Sequence, residues 1–273
     1  MHDVTPFPPD RLFLIAGPCQ AEDDALNLRV AEVVARVGEK VPGGVIYKAS
    51  FDKANRSNPG ATRGLGLERG LEALATVKRE TGLRVVTDVH LPEQCAVAAE
   101  VCDVLQIPAF LCRQTDLLEA AGRTGKPVNI KKGQWLQPEG MKGATSKVRR
   151  SSPAGDAAPL AVTERGTFFG YGDLVVDMRN FSRMREAARC PVVYDATHSV
   201  QQPGRGDAGA SGGLREFIPP LMFAALSAGA QGLFIETHPD PDHAPSDGKN
   251  MVYLDKFPAL IDRAIEIWAL VNA

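Results

Sequence analysis

Residues 12–24 read LFLIAGPCQAEDD. The first five are apolar without a break, the pattern of a strand packed on both faces, as in a parallel sheet covered by helices. The residues just after the strand decide the fold. A doubly wound open sheet that binds a dinucleotide carries a glycine-rich GxGxxG turn after its first strand. This chain has GPCQAEDD there, which contains no such turn. A closed barrel makes no demand of that kind and collects its chemistry at the C-terminal ends of its strands. Cys19 stands at that point.

Seven further runs follow: GVIYK from Gly44, RVVTD from Arg84, DVLQI from Asp103, PVNIK from Pro127, LAVTER from Leu160, PVVYD from Pro191 and GLFIE from Gly232. Amphipathic stretches between them predict helices over residues 25–37, 67–80, 92–101, 115–124, 174–188, 214–228 and 257–271. Eight runs in 273 residues give about 34 residues per unit, the size of one βα repeat, and the total is close to the roughly 250 of an eightfold barrel. The expected architecture is therefore α/β, a single-domain (β/α)8 TIM barrel over residues 1–273. Residues 133–159, rich in Gly, Pro and Ser, predict an irregular connection in place of the helix after the fifth strand.

Composition narrows the function. The 31 Lys and Arg against 33 Asp and Glu leave a net charge of −2, without the basic excess typical of nucleic-acid or membrane-surface proteins. No run approaches the roughly 20 apolar residues of a bilayer helix, and MHDVTPFPPDR lacks the basic and apolar regions of a signal peptide. A cytoplasmic protein is expected. The five cysteines form an odd set without a CxxC pair, against a disulfide framework or a ribbon-type zinc site.

The strand ends are unusually polar. In order they give Cys19, Lys48 with Ser50, Asp88 with His90, Gln106, Lys131 with Lys132, Arg165, Asp195 with His198, and Glu236 with His238. A strand end also simply meets water, but that does not by itself collect Lys, Arg, His and Cys on one rim. The cations Lys48, Lys53, Arg56, Arg63, Arg113, Lys131 and Arg165 suit an anionic ligand, since lysine supplies a compact charge and arginine a planar fork for phosphate or carboxylate. The densest loop, KASFDKANRSNPGATRG from Lys48, can wrap a phosphate. Cys19, His198, Glu236 and Asp247 offer a thiolate, an imidazole and two carboxylates to a metal. Their spacing alone leaves core or surface roles open for the Cys and the His. The five glycines of GRGDAGASGG, from Gly204, suggest a lid after the seventh strand.

The stretches KASFDKANRS, TDVH, QIPAFLCRQTDL, VNIKKGQ, RGTFFGYGDLVVDMR, DATHSVQ and FIETHPDPDHAPSDG closely resemble the 3-deoxy-D-manno-octulosonate 8-phosphate synthases, also called 2-dehydro-3-deoxyphosphooctonate aldolases. Matching motifs run from Leu14 to about Asp247. The sister 3-deoxy-D-arabino-heptulosonate 7-phosphate synthases share the barrel and the opening GPC, but carry a KPR-type motif where this chain has KANRS. The resemblance implies a transferase that condenses phosphoenolpyruvate with D-arabinose 5-phosphate and water, for lipopolysaccharide biosynthesis, in a cytoplasmic homotetramer. It implies that Lys48, Ser50, Lys53, Asp88, Gln106, Ala109, Phe110, Lys131 and Arg165 bind substrate, that Asn55, Arg56 and Ser57 hold arabinose 5-phosphate, and that Lys53, Asn55, His198 and Asp247 take part in the chemistry. The family divides into a metal-dependent branch with Cys at the position of Cys19 and a metal-independent branch with Asn. Cys19 therefore implies one divalent transition metal, Zn²⁺, Fe²⁺ or Mn²⁺, on Cys19, His198, Glu236 and Asp247. Three other readings stay open on the residues alone: the heptulosonate synthase, a lysine Schiff-base aldolase using Lys48 or Lys131, and a non-catalytic barrel that binds phosphosugars.

Overall fold

A computed structural model describes residues 5–55, 60, 62–205 and 212–273. Arg56, Ser57 and most of the stretch from Gly204 to Gly213 lie outside them. The eight apolar runs are the eight strands of a closed parallel barrel: β1 Phe13–Gly17, β2 Val45–Lys48, β3 Arg84–Asp88, β4 Val104–Ile107, β5 Val128–Lys131, β6 Leu160–Glu164, β7 Val192–Asp195 and β8 Gly232–His238. Each pairs with the next, and β8 closes onto β1 with Phe13 opposite Gly232 and Gly17 opposite Glu236. The fold is a (β/α)8 TIM barrel.

Successive strand residues face opposite ways, and this alternation builds two cores. Outward residues such as Leu14, Tyr47, Val85, Leu105, Ile130, Val162 and Leu233 pack against the helices. Inward residues Phe13, Ile15, Ile46, Val86, Val104, Ala161, Val193 and Phe234 form a separate plug in the barrel, with the Phe7 ring tilted against that of Phe13 at 5.6 Å between centroids. Each of the larger of these side chains contributes about 1.5–3 kcal/mol when fully buried. Two residues further along, the same inward positions turn polar: Lys48 above Ile46, Asp88 above Val86, Gln106 above Val104, Thr163 above Ala161, Asp195 above Val193 and Glu236 above Phe234. The site is thus a change of chemistry along one face of the sheet.

The helices are α1 Asp24–Gly38, α2 Leu67–Thr81, α3 Pro92–Val101, α4 Thr115–Arg123, α5 Met141–Ser151, α6 Asn180–Ala188, α7 Ile218–Ser227 and α8 Phe257–Val271. Local chemistry sets several ends. The Asp23 side chain accepts from the backbone N–H of Leu26 and caps α1. Pro92 opens α3 at a position where its missing N–H costs nothing. Gly82 ends α2 at φ +71°, in the left-handed region.

Three expectations need correction. The connection after β5 is not irregular throughout, because it contains α5. There Met141, Ala144, Thr145 and Val148 recur at helical spacing and are buried, while the Gly and Ser residues that suggested a loop lie on other faces or outside the helix. Residues 174–177 are not the first turn of α6. GTFFGYGDLV folds as a hairpin, Thr167–Gly170 against Asp173–Val175, with Gly172 at φ +96° in its turn. The helix starts only at Asn180, whose N–H donates to the Asp177 carbonyl. Likewise α7 begins at Ile218, after a 3₁₀ turn over Arg215–Phe217.

Candidate active site

Four cations converge at the C-terminal mouth of the barrel. Lys48 and Lys131 are the last residues of β2 and β5, Arg165 follows β6, and Lys53 lies on the loop after β2. Lys48, Lys131 and Arg165 are buried. Charges removed from water need partners, and the barrel supplies them from neighbouring strands. Lys48 Nζ donates to Glu236 Oε1 at 2.8 Å and to the Cys19 carbonyl at 2.9 Å, and lies 3.7 Å from Asp88 Oδ2. Lys131 Nζ donates to Asp195 Oδ2 at 2.6 Å and sits 3.4 Å from the centroid of the Phe234 ring. Arg165 Nη2 donates to Gln201 Oε1 at 2.5 Å, whereas its buried Nη1 has no partner.

These groups hold one another's charge states. Burial by itself raises the carboxyls of Asp88 and Glu236, but Lys48, with Lys53 and Lys131 and, for Glu236, His198, outweighs it and keeps both far below the usual range. Burial pulls Lys131 downward against Asp195, and pulls Arg165 downward as well. Lys53 is raised, because the surrounding negative charge exceeds the opposing effect of burial.

A cavity of about 870 Å³ opens above this layer. Of the residues expected to bind substrate, Lys48, Lys53, Asn55, Asp88, Gln106, Ala109, Phe110, Lys131 and Arg165 line it. Ser50 lies just beneath, fully buried, with its hydroxyl donating to Asp88 Oδ2. Two cations of the sequence reading do not join. Arg63 is exposed and paired with Asp52, and Arg113 is exposed outside the cavity lining. Lys132, beside Lys131 in sequence, is buried away from the cavity, donating to Thr167 Oγ1 and to the Leu136 carbonyl at 3.2 Å.

At one corner the four residues read as metal donors meet. Ligand atoms of Cys19, Glu236 and Asp247 lie within 4.8 Å of one another. His198 Nε2 is 3.7 Å from Glu236 Oε2 and 3.9 Å from Asp247 Oδ2. Its other ring nitrogen, Nδ1, is 2.8 Å from Asp195 Oδ2, while the His198 backbone N–H donates to Asp195 Oδ1. That carboxylate turns the imidazole so that Nε2 faces the corner, the arrangement common behind metal-bound histidines. Asp247 has a left-handed φ of +50°. It accepts from the Cys19 thiol at 3.2 Å and from Gln201 Nε2 at 2.8 Å. Glu236 Oε2 is buried without a partner. Burial pushes the Cys19 thiol well up, and the Glu236 charge adds to the shift. A thiol kept protonated beside two carboxylates and an unpartnered carboxylate oxygen fit a cation, which would favour the thiolate. The donors, one sulfur, one nitrogen and two oxygens, suit a transition metal better than Mg²⁺.

Gln201 and Gln134 carry no role in the sequence reading, and His90 appears there only as a strand-end residue. Gln201 links Arg165 to Asp247 through the two ends of one amide. His90 and Gln134 line the cavity, each with a buried polar atom lacking a partner. Asp195 was visible as a strand-end carboxylate, yet its double role on Lys131 and His198 needs the fold to bring residues of β5 and β7 together. A neutral amide such as Gln201 carries no charge signal in a sequence. Its place at the end of the stretch DATHSVQ, three residues after His198, was the available hint.

The fold is that of a (β/α)8-barrel enzyme, and the candidate site lies at the C-terminal mouth of its barrel. Residues 8–269 match the DAHP synthetase I family. The chain is 54% identical over 261 residues to the 2-dehydro-3-deoxyphosphooctonate aldolase of Rhodopseudomonas palustris (strain TIE-1), covering 96% of this chain and 89% of that one. It is 54% identical over 262 residues to the protein of that name from Brucella ovis, covering 96% and 92%. It belongs to the 2-dehydro-3-deoxyphosphooctonate aldolases of the DAHP synthetase I family.

Proposed function

We propose that this chain condenses phosphoenolpyruvate with D-arabinose 5-phosphate and water, releasing inorganic phosphate and 3-deoxy-D-manno-octulosonate 8-phosphate for lipopolysaccharide biosynthesis. The observation that carries this reading is the group of four cations, Lys48, Lys53, Lys131 and Arg165, at the mouth of a barrel whose net charge is −2. Both substrates are phosphorylated, and one also carries a carboxylate. Arg165 lines the cavity and its Nη1 is a desolvated donor without a hydrogen-bond partner, which suits such a group.

In the reaction C3 of the enol phosphate attacks the sugar aldehyde while water adds at C2, and the resulting tetrahedral intermediate expels phosphate by carbon–oxygen cleavage. The chain holds the phosphate and carboxylate of phosphoenolpyruvate with Lys48, Lys131, Arg165 and Gln106, which fixes the enol face. Lys53 and Asn55 meet the developing charge on the aldehyde oxygen. His198 and Asp247 move protons near C2. A divalent Zn²⁺, Fe²⁺ or Mn²⁺ held by Cys19, His198, Glu236 and Asp247 would supply concentrated positive charge at that corner. Asn55, Arg56 and Ser57 make the clamp for arabinose 5-phosphate. We read the protein as a cytoplasmic homotetramer by analogy with the family. Among the described residues, no helix is long and apolar enough to cross a membrane.

The test is phosphate release from phosphoenolpyruvate with arabinose 5-phosphate or erythrose 4-phosphate, each before and after chelation. Release with the pentose, abolished by chelation and restored by a transition metal, is expected. Preference for the tetrose would instead make the chain a heptulosonate synthase.

A further inference from the structure

Beneath the cavity a line of polar side chains crosses four strands. Asp88, Gln106 and Asn129 stand opposite one another in register on β3, β4 and β5, and Thr163 of β6 stands one inward position higher. All four are buried. The Thr163 hydroxyl donates to Asn129 Oδ1 at 2.7 Å, Asn129 Nδ2 to Gln106 Oε1 at 2.9 Å, and Gln106 Nε2 to Asp88 Oδ1 at 2.5 Å.

The chain of bonds has a direction, set at the Asp88 end. Asp88, held ionised by Lys48, Lys53 and Lys131 against the effect of burial, can only accept. Gln106 must therefore turn its amide nitrogen toward Asp88 and its oxygen toward Asn129. Asn129 must answer with its own nitrogen, which leaves its oxygen needing a donor. Among the described residues Thr163 is that donor. Gln106 has two amide hydrogens, and one is spent on Asp88. Because Gln106 lines the cavity, the second is available to an anion. Were the amide reversed, the cavity would meet a carbonyl oxygen, and Asp88 would face another acceptor.

We infer that Thr163, which lies outside the cavity lining, is a positioning residue that, by anchoring Asn129, holds the Gln106 amide in the orientation set by Asp88, nitrogen available to phosphoenolpyruvate. The inference rests on the substrate reading above. Removing the hydroxyl frees Asn129 to rotate, and Gln106 with it. Thr163→Val keeps the shape of the side chain and deletes the donor. It should raise KM for phosphoenolpyruvate roughly tenfold, the effect of one mispaired buried hydrogen bond. KM for the aldose and kcat should stay within about twofold. Thr163→Ser should restore KM, and Thr163→Cys, a weaker donor, should fall between the two. In a Gln106→Ala background, Thr163→Val should add nothing further to KM, since the group it positions is gone.

A Thr163→Val enzyme with wild-type KM for phosphoenolpyruvate overturns the inference. So does a loss confined to kcat or thermal stability, or full additivity with Gln106→Ala. The serine and cysteine variants carry the same test should the valine form fail to fold. Wild-type protein that does not consume phosphoenolpyruvate with any aldose overturns the substrate reading, and this inference with it. An active wild type with an unaffected valine variant removes only the inference.

Discussion

Replacing Asp88 by Asn removes one charge from a largely buried balance of four cations, Lys48, Lys53, Lys131 and Arg165, and four carboxylates, Asp88, Asp195, Glu236 and Asp247. Asp88 Oδ2 lies 3.7 Å from Lys48 Nζ. At an effective dielectric constant of about 20 that attraction is worth about 4–5 kcal/mol. Part is returned because a neutral amide is easier to desolvate, and Lys48 keeps Glu236 at 2.8 Å. The net loss should be about 3 kcal/mol, the lower end of the range for breaking a buried pair. For a chain of this length it corresponds to a fall in Tm of about 5 °C. The pH dependence follows from the depressed carboxyl. Its stabilisation is fully present above the unfolded value of about 3.9 and is lost as pH falls toward the folded one. The gap between wild type and Asp88→Asn should therefore narrow by about 1 kcal/mol between pH 5 and pH 3. Denaturant unfolding of both proteins at pH 7, 5 and 3 measures it. A gap below 1 kcal/mol at pH 7, or one that stays constant into acid, refutes the idea that the lysines hold Asp88 ionised.

Cys19→Ser should weaken metal retention, seen as metal content after dialysis, and Cys19→Asn should retain activity that a chelator no longer removes. Full activity of metal-free wild type would refute the ligand role. Gln201→Leu should raise KM for phosphoenolpyruvate about tenfold or more by depriving the charged Arg165 of the amide oxygen that holds it. An unchanged KM would show that Arg165 is held without it. Arg56→Ala should weaken arabinose 5-phosphate binding by about 1.5–3 kcal/mol with little effect on phosphoenolpyruvate, and titration calorimetry with each substrate separates the two.

The strands were legible because a parallel strand between helices and a barrel interior has no solvent face, so Leu12–Ala16 and its seven counterparts stand out as unbroken apolar runs. α5 was not. Its polar face carries Lys142, Ser146, Lys147 and Arg150, and four buried residues among eleven give little contrast beside nearby glycines. The hairpin before α6 was hidden for the opposite reason, since LVVDM is equally compatible with a helix when its strand partner is unknown. At the site, charge made Lys48, Lys131, Arg165 and Glu236 readable from their strand-end positions. The line from Thr163 to Asp88 was unreadable because it depends on the register between strands, which period-two alternation within each strand does not set.

The step from Ile46 to Lys48, from Val86 to Asp88 and from Phe234 to Glu236 is made within one strand each time, over two residues. A change in the lower storey alters how firmly the barrel holds together while leaving the ligands' surroundings intact, and a change in the upper storey retunes what is bound with the apolar plug undisturbed. A lineage can therefore explore new substrates without respecifying the architecture, and its tolerance for such experiments is set by how much surplus stability Phe13, Ile15 and their neighbours hold in reserve.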